Sequence, residues 1–331
     1  MAAAPTYMSL VPIVRQLAYT ALVVTDVAAT ATALARDFGL RRTDCAVGAS
    51  DRTTPVFAVG ASAVALFAPT DSFVGGQAKP GVHHIAFEVA DLEAGVRNAT
   101  AVGVPAAEAE PSAGLQGTRR WRLAPAATCG VRTYLSEPLT LARTRSGWIE
   151  RIDHLGVASA DNAAAIDAFV TRLGCPLEST QTDMEVSIAV ESFTSDTYGV
   201  VYHTRPPQTV GGLRVVFVTV GDCELEFLQD LDPGQDVLVA HDRAGTTKQD
   251  RGAMARFVAS RGPGLHHIAL KVTDINSALA SLERAGHVML DAVGRPGSRR
   301  ALIGFIHPKS LNGVLMHLVQ RGIPCARGMT R

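Results

Sequence analysis

Excess charge of either sign, lysine, aromatic rings, long apolar runs and paired cysteines are all scarce in this 331-residue chain. Its 31 Lys+Arg balance 31 Asp+Glu, and only four of those cations are lysines. Nucleic-acid binders draw affinity from counterion release by a basic excess, so no DNA or RNA partner is expected. The apolar run at 17–24 falls well short of the roughly 20 residues that span a bilayer, and Asp26 closes it. The first cation is Arg15, so the basic start of a secretory signal is missing too. The five cysteines (Cys45, Cys129, Cys175, Cys223, Cys325) are odd in number, scattered and never in a CxxC pair. That pattern fits reduced thiols better than a disulfide framework or a zinc knuckle. These absences together predict a soluble cytoplasmic protein, monomer or homodimer, with no membrane partner.

What is present is a chain rich enough in apolar residues to fold, 47% hydrophobic against 19% charged, and long enough for two domains. It also repeats itself. VHHIAFEVADLEAGVRNATAVGVP at 82–105 matches LHHIALKVTDINSALASLERAGHV at 265–288, an offset of 183 residues. YTALVVTDVAATATALARDFGL at 19–40 matches HLGVASADNAAAIDAFVTRLGC at 154–175, an offset of 135. Each copy opens as a strand, and the Asp, Asn or Thr that follows can cap a helix by accepting from its free N–H groups. Strand-like runs come next, giving an α+β fold of four βαβββ units. The polar, Arg-rich stretch TLARTRSGW at 140–148 divides the chain into domains 1–146 and 147–331. Two long pieces, 178–209 and 232–251, interrupt the second domain and read as lids, binding loops or interface segments.

Side chains alternate along a strand, so parity sorts the polar residues by face. In 266–272, Ile268, Leu270 and Val272 make an apolar face and His267 points the other way. His317 is an isolated imidazole between Met316 and Leu318. Glu224 and Glu226 share the face opposite Leu225 and Phe227, and His154 opens the first strand of the second domain. One histidine in an apolar strand is ordinarily a core residue bonded to a carbonyl, and an acid such as Glu226 can be a paired structural charge. Two His with one or two carboxylates from separate strands of a cupped sheet are what a catalytic divalent ion requires, so the four are read together. Carried into the first domain by the repeat, His154, Glu226, His267 and His317 become Tyr19, Ala65, His84 and Tyr134, where one ligand type survives. The first domain is therefore read as structural or substrate-gating and the second as the active half.

On these residues the chain resembles the vicinal oxygen chelate superfamily, whose glyoxalase-like members pair βαβββ units around a divalent metal. The segments IDHLGVA, GDCELEFLQDLDP, GLHHIALKVTDINSAL and FIHPKSLNGVLMHLVQ look like the strand motifs of methylmalonyl-CoA epimerases. The tandem layout, with a ligand-poor first domain, looks like 4-hydroxyphenylpyruvate dioxygenase. The resemblance implies a metal (Zn, Co, Mn, Ni or Fe) held by His154, Glu226, His267 and His317. His317 departs from the family, which has Glu there. The epimerase base, a Glu just before the strand starting at Leu213, has no counterpart in QTVGGLR, where Val210 stands near the matching position.

Such a site would chelate a 2-oxo acid, a hydroxyketone or an acyl-CoA and act as a Lewis acid, stabilising an enolate as a proton leaves the neighbouring carbon. That is epimerase, isomerase or lyase chemistry. Candidate bases are Glu224, His307 and His203, with Glu185 and Glu191 in the insertion. The alternative enzyme is a non-haem Fe(II) dioxygenase, in which two His and one carboxylate leave room for substrate and oxygen. A further alternative is a non-catalytic small-molecule binder, disfavoured by the 5% aromatic content and the retained ligand set.

Overall fold

The computed structural model describes residues 12–142, 147–187, 190–204, 208–231 and 252–322. The insertion at 232–251, the central part of the stretch at 140–148 and Cys325 lie outside them. In the first half the order is β1 (Gln16–Val23), α1 (Val27–Arg36), β2 (Arg42–Ala46), β3 (Thr53–Val59), β4 (Ser62–Phe67), β5 (Gly81–Glu88), α2 (Leu92–Ala101), β6 (Ser112–Ala113), β7 (Arg119–Arg122) and β8 (Thr133–Ser136). These strands form one curled mixed sheet, ordered β2-β3-β4-β1-β5-β8-β7-β6. The second half runs β9 (Ile149–Ala158), α3 (Asn162–Ile166), β10 (Leu177–Ser187), β11 (Val190–Ser195), β12 (Gly199–Thr204), β13 (Gln208–Val220), β14 (Cys223–Asp230), α4 (Ala253–Arg261), β15 (Gly264–Val272), α5 (Ile275–Arg284), β16 (Arg295–Pro296), β17 (Leu302–Ile306) and β18 (Met316–Gln320). Its eight-stranded sheet, β10-β13-β14-β9-β15-β18-β17-β16, repeats the first strand for strand. These are the paired domains of the α+β fold expected from the repeat.

Local chemistry explains the repeat. Asp26, Asp91, Asp161 and Asp274 each stand extended at a helix start, with a side-chain oxygen accepting from Ala29, Ala94, Ala163 and Ala164, or Ser277 N–H. These caps satisfy donors a helix start otherwise leaves open. Past Ile166, α3 widens into a π-helical turn, Asp167–Arg172. The helices bury their apolar stripes on the convex faces of the sheets, and the resulting core is continuous between the halves, with Phe87 of β5 edge-on to Phe169. Separate clusters line the concave faces, one in the first cup and two in the second.

The insertion expected at 178–209 is largely sheet. β10 and β13 pair from Leu177–Val218 out to Ser187–Gln208, and β11 pairs with β12 as a separate two-stranded ribbon. Thr and Val along 180–190 favour extended backbone although they carry no clean apolar alternation. The halves meet at symmetry-related points, with the backbone at Gly130 against Pro263 and that at Gly313 against Pro80. Among the described residues, no helix is long and apolar enough to cross a membrane.

Candidate metal centre

Four strands at the middle of the second sheet bring His154, Glu226, His267 and His317 to its concave face. The ladders place Glu226 beside Gly156, His267 across from the same Gly156, and His317 beside Ala269, which itself pairs with His154. All four residues are buried, each 6% exposed or less. His317 Nε2 lies 3.1 Å from His154 Nε2, and Glu226 Oε2 lies 3.2 Å from His154 Nε2 and 3.5 Å from His267 Nε2. One nitrogen from each of the three imidazoles falls within a 4.8 Å group. Donors about 2.0–2.2 Å from a tetrahedral ion stand roughly 3.3–3.6 Å apart, so the 3.1, 3.2 and 3.5 Å separations suit a divalent cation. An unpartnered polar atom supports the fit: His267 Nε2 is buried without a hydrogen-bond partner among the described residues. Neutral imidazoles and one carboxylate are a donor set that zinc, iron or a neighbouring first-row ion accepts.

β-Bulges turn supporting groups onto the backs of these imidazoles. The β9–β15 register steps past Asp153, between Ala269–His154 and Leu270–Ile152, and past His266, between Leu265–Val157 and His267–Gly156. A bulged residue loses strict alternation, so its side chain can share a face with its neighbour. Asp153 Oδ2 accordingly sits 2.9 Å from His154 Nδ1, and His266 Nδ1 sits 3.0 Å from His267 Nδ1. Hydrogen bonds of this kind fix a ligand's tautomer and aim its other nitrogen. Asp153 is fully buried and also pairs with Arg151 and Arg321. Strict parity places Asp153 on the opposite face from His154, so the sequence reading missed it.

Electrostatics follow from this packing. Burial alone would raise the Glu226 carboxyl, but His154 and His267 hold it well below the carboxylate range. Burial works against a charged His154, yet Glu226 and Asp153 hold that imidazole up at about 9. His267 and His317 are pushed down by burial, His317 well below the usual histidine range. Phe217 stands edge-on to His154 and Phe305 edge-on to His317, 6.3 and 4.4 Å between ring centres. Ala269, Ala301 and Val319 on one side and Val215, Leu228 and Met254 on the other complete an apolar wall.

The candidate bases fall in different places. Glu224 shares the inner face with Glu226, and Arg299 clamps both of its oxygens while stacking 3.6 Å over Phe217. His307 caps a short 3₁₀ turn, its Nδ1 accepting from Lys309 N–H. His203 is exposed on β12, 3.7 Å from Glu191 of β11. Glu185 lies on β10.

Comparison with known proteins adds four findings. The model of the Glyoxalase/Bleomycin resistance protein/Dioxygenase superfamily matches residues 19–121 and 153–305. The chain is similar to human mitochondrial methylmalonyl-CoA epimerase, 27% identical over 186 residues, covering 56% of this chain and 82% of that protein. It is 38% identical over 115 residues to the Dictyostelium discoideum enzyme of the same name, covering 34% of this chain and 59% of that one. Among solved structures, a mutant of 4-hydroxymandelate synthase from Streptomyces coelicolor has the same fold over 96% of this chain and 95% of its own, with a TM-score of 0.60 at 18% identity.

Proposed function

The chain belongs to the Glyoxalase/Bleomycin resistance protein/Dioxygenase superfamily, and we propose that within it this protein is a divalent-metal enzyme acting on a small bidentate oxygen substrate. That substrate would be a 2-oxo acid, a hydroxyketone or an acyl-CoA, and the reaction a proton transfer at the carbon beside the chelated oxygens, as in an epimerase, isomerase or lyase. The observation that carries this reading is the convergence of three imidazole nitrogens and the Glu226 carboxylate in one buried cup. The similarity to methylmalonyl-CoA epimerases supports the same chemistry.

His154, Glu226, His267 and His317 would hold the ion, which when bound supplies a Lewis acid that acidifies the C–H next to a coordinated carbonyl. Asp153 and His266 fix the imidazoles from behind. Phe217, Phe305 and the aliphatic walls keep water from the reacting carbon, which strengthens every polar contact inside. Of the three main candidate bases, Glu224 is carried forward because it alone shares the inner face with Glu226; Arg299 sets its position. The tandem layout supports a second reading, a non-haem iron dioxygenase.

Metal content of protein purified without oxygen, for wild type and His267→Ala, tests both. One equivalent of zinc, cobalt, nickel or manganese lost in the variant supports proton transfer, and iron supports the dioxygenase. No stoichiometric metal in wild type would sink both and leave a non-catalytic binder. Solvent deuterium exchange into candidate 2-oxo acids or acyl-CoAs then reads the proton-transfer step.

A further inference from the structure

The first cup has its own buried cation. Arg120 on β7 is 5% exposed, and its guanidinium reaches to the centre of the concave face. Its Nη1 donates to Tyr19 Oη at 3.2 Å and lies 3.1 Å from His84 Nε2, while Nη2 donates to the Phe73 carbonyl at 3.3 Å. One guanidinium face stacks 3.4 Å over Phe73, and the Tyr134 ring centre is 4.3 Å away. Its Nε finds no hydrogen-bond partner among the described residues.

The partners are not an arbitrary set. The ladders equate Tyr19, paired to Ala86, with His154, paired to Ala269. They equate His84, paired to Ala21, with His267, paired to Gly156. Tyr134, beside Ala86, takes the place of His317 beside Ala269. Arg120, paired to Ser136, corresponds to Ile303, paired to Val319. Three of the four residues at metal-ligand positions thus surround a guanidinium instead of an ion, and the fourth, Ala65, offers no acid. Arginine stays protonated in proteins, so this cation is permanent. Phe73, stacked on Phe67, closes the cup over it.

We propose that Arg120 is a resident cation standing where the second cup would hold its ion, so that the first cup is filled by the chain's own side chains and each molecule takes up metal in the second cup alone. The inference rests on the metal reading of the second cup, and two exchanges between the cups separate them. Ile303→Arg should remove metal from the second cup, lowering the bound equivalents at least tenfold with far-UV circular dichroism unchanged, whereas Ile303→Met, of similar bulk, should keep it. Arg120→Ile should retain wild-type metal content and lower the melting temperature by several degrees, independent of chelator. Two bound ions in wild type, an Ile303→Arg protein that keeps its metal, or an Arg120→Ile protein as stable as wild type would each overturn the inference. A metal-free wild type would instead defeat the reading of the second cup, while Arg120→Ile would still report on the first. If Ile303→Arg fails to fold, the Arg120→Ile melting temperature and the wild-type stoichiometry decide.

Discussion

A β-carbon added to Gly156 would overlap the imidazole ring of His267, closest to its Cε1. The two residues face each other across the β9–β15 ladder, two positions along from His154, so the absence of a side chain at 156 makes the space that His267 fills. The first half has Ala21 at this point, opposite His84.

Gly156→Ala should therefore push the His267 ring out of the cluster. Loss of one ligand's placement is expected to weaken metal binding at least tenfold, about 1.4 kcal/mol, with the fold retained. Metal titration read by competition with a chromophoric chelator checks this, and unchanged affinity would contradict it.

Asp153→Asn tests the support behind His154. The amide can keep a hydrogen bond yet no longer supplies the carboxylate that orients the Nδ1–H, and changes of this kind typically cost 10–100-fold in metal affinity or activity. Because Asp153 also neutralises Arg151 and Arg321, a lower unfolding midpoint should accompany the effect. Isothermal titration with the metal and urea denaturation on the same sample separate the two.

Glu224→Gln addresses the proton acceptor. If Glu224 moves the proton, turnover should fall by 10²-fold or more, in line with the usual contribution of a general base, while metal content stays at the wild-type level. Solvent deuterium exchange into substrate is the direct readout. Exchange at the wild-type rate would pass the role to another group.

A pH effect is expected from Asp37, whose carboxylate accepts from Arg36 and His287 between the first and last long helices. The Arg36 hydrogen bond, partly opposed by burial and aided by His287, holds the Asp37 carboxyl below its ordinary range. A lowered folded value means the stabilisation is fully present above the unfolded value of about 3.9 and lost as pH falls through the folded one. The stability gap between wild type and Asp37→Asn should be in place at pH 5 and shrink as pH falls below about 4. Urea unfolding across that range measures it, and a gap that widens on acidification would contradict it.

The repeat made the fold legible because each unit must bury one helix stripe and one sheet face, and the periods that do so recur at fixed offsets. His154, Glu226, His267 and His317 were visible as polar residues in apolar strands on one parity, and the strands do bring them together. Groups defined by a bulge or by an opposing strand were hidden. Asp153 reaches His154 only because the ladder skips a residue, and Gly156 matters only because His267 arrives from β15. The β10–β13 extension reads as a lid, binding loop or interface segment because its residues alternate polar with β-branched side chains rather than polar with apolar. Arg120 was lost among 27 arginines, since nothing local distinguishes a buried guanidinium from a solvated one.

The crossed contacts between the halves sit at telling places. Pro263 meets Gly130 just ahead of β15, the strand that delivers His267, and Gly313 meets Pro80 just ahead of β18, the strand that delivers His317. Loops of the first half thus abut the chain just ahead of the strands that carry two of the three imidazoles, and a thickening of either seat should be felt as a displacement of side chains that never touch it.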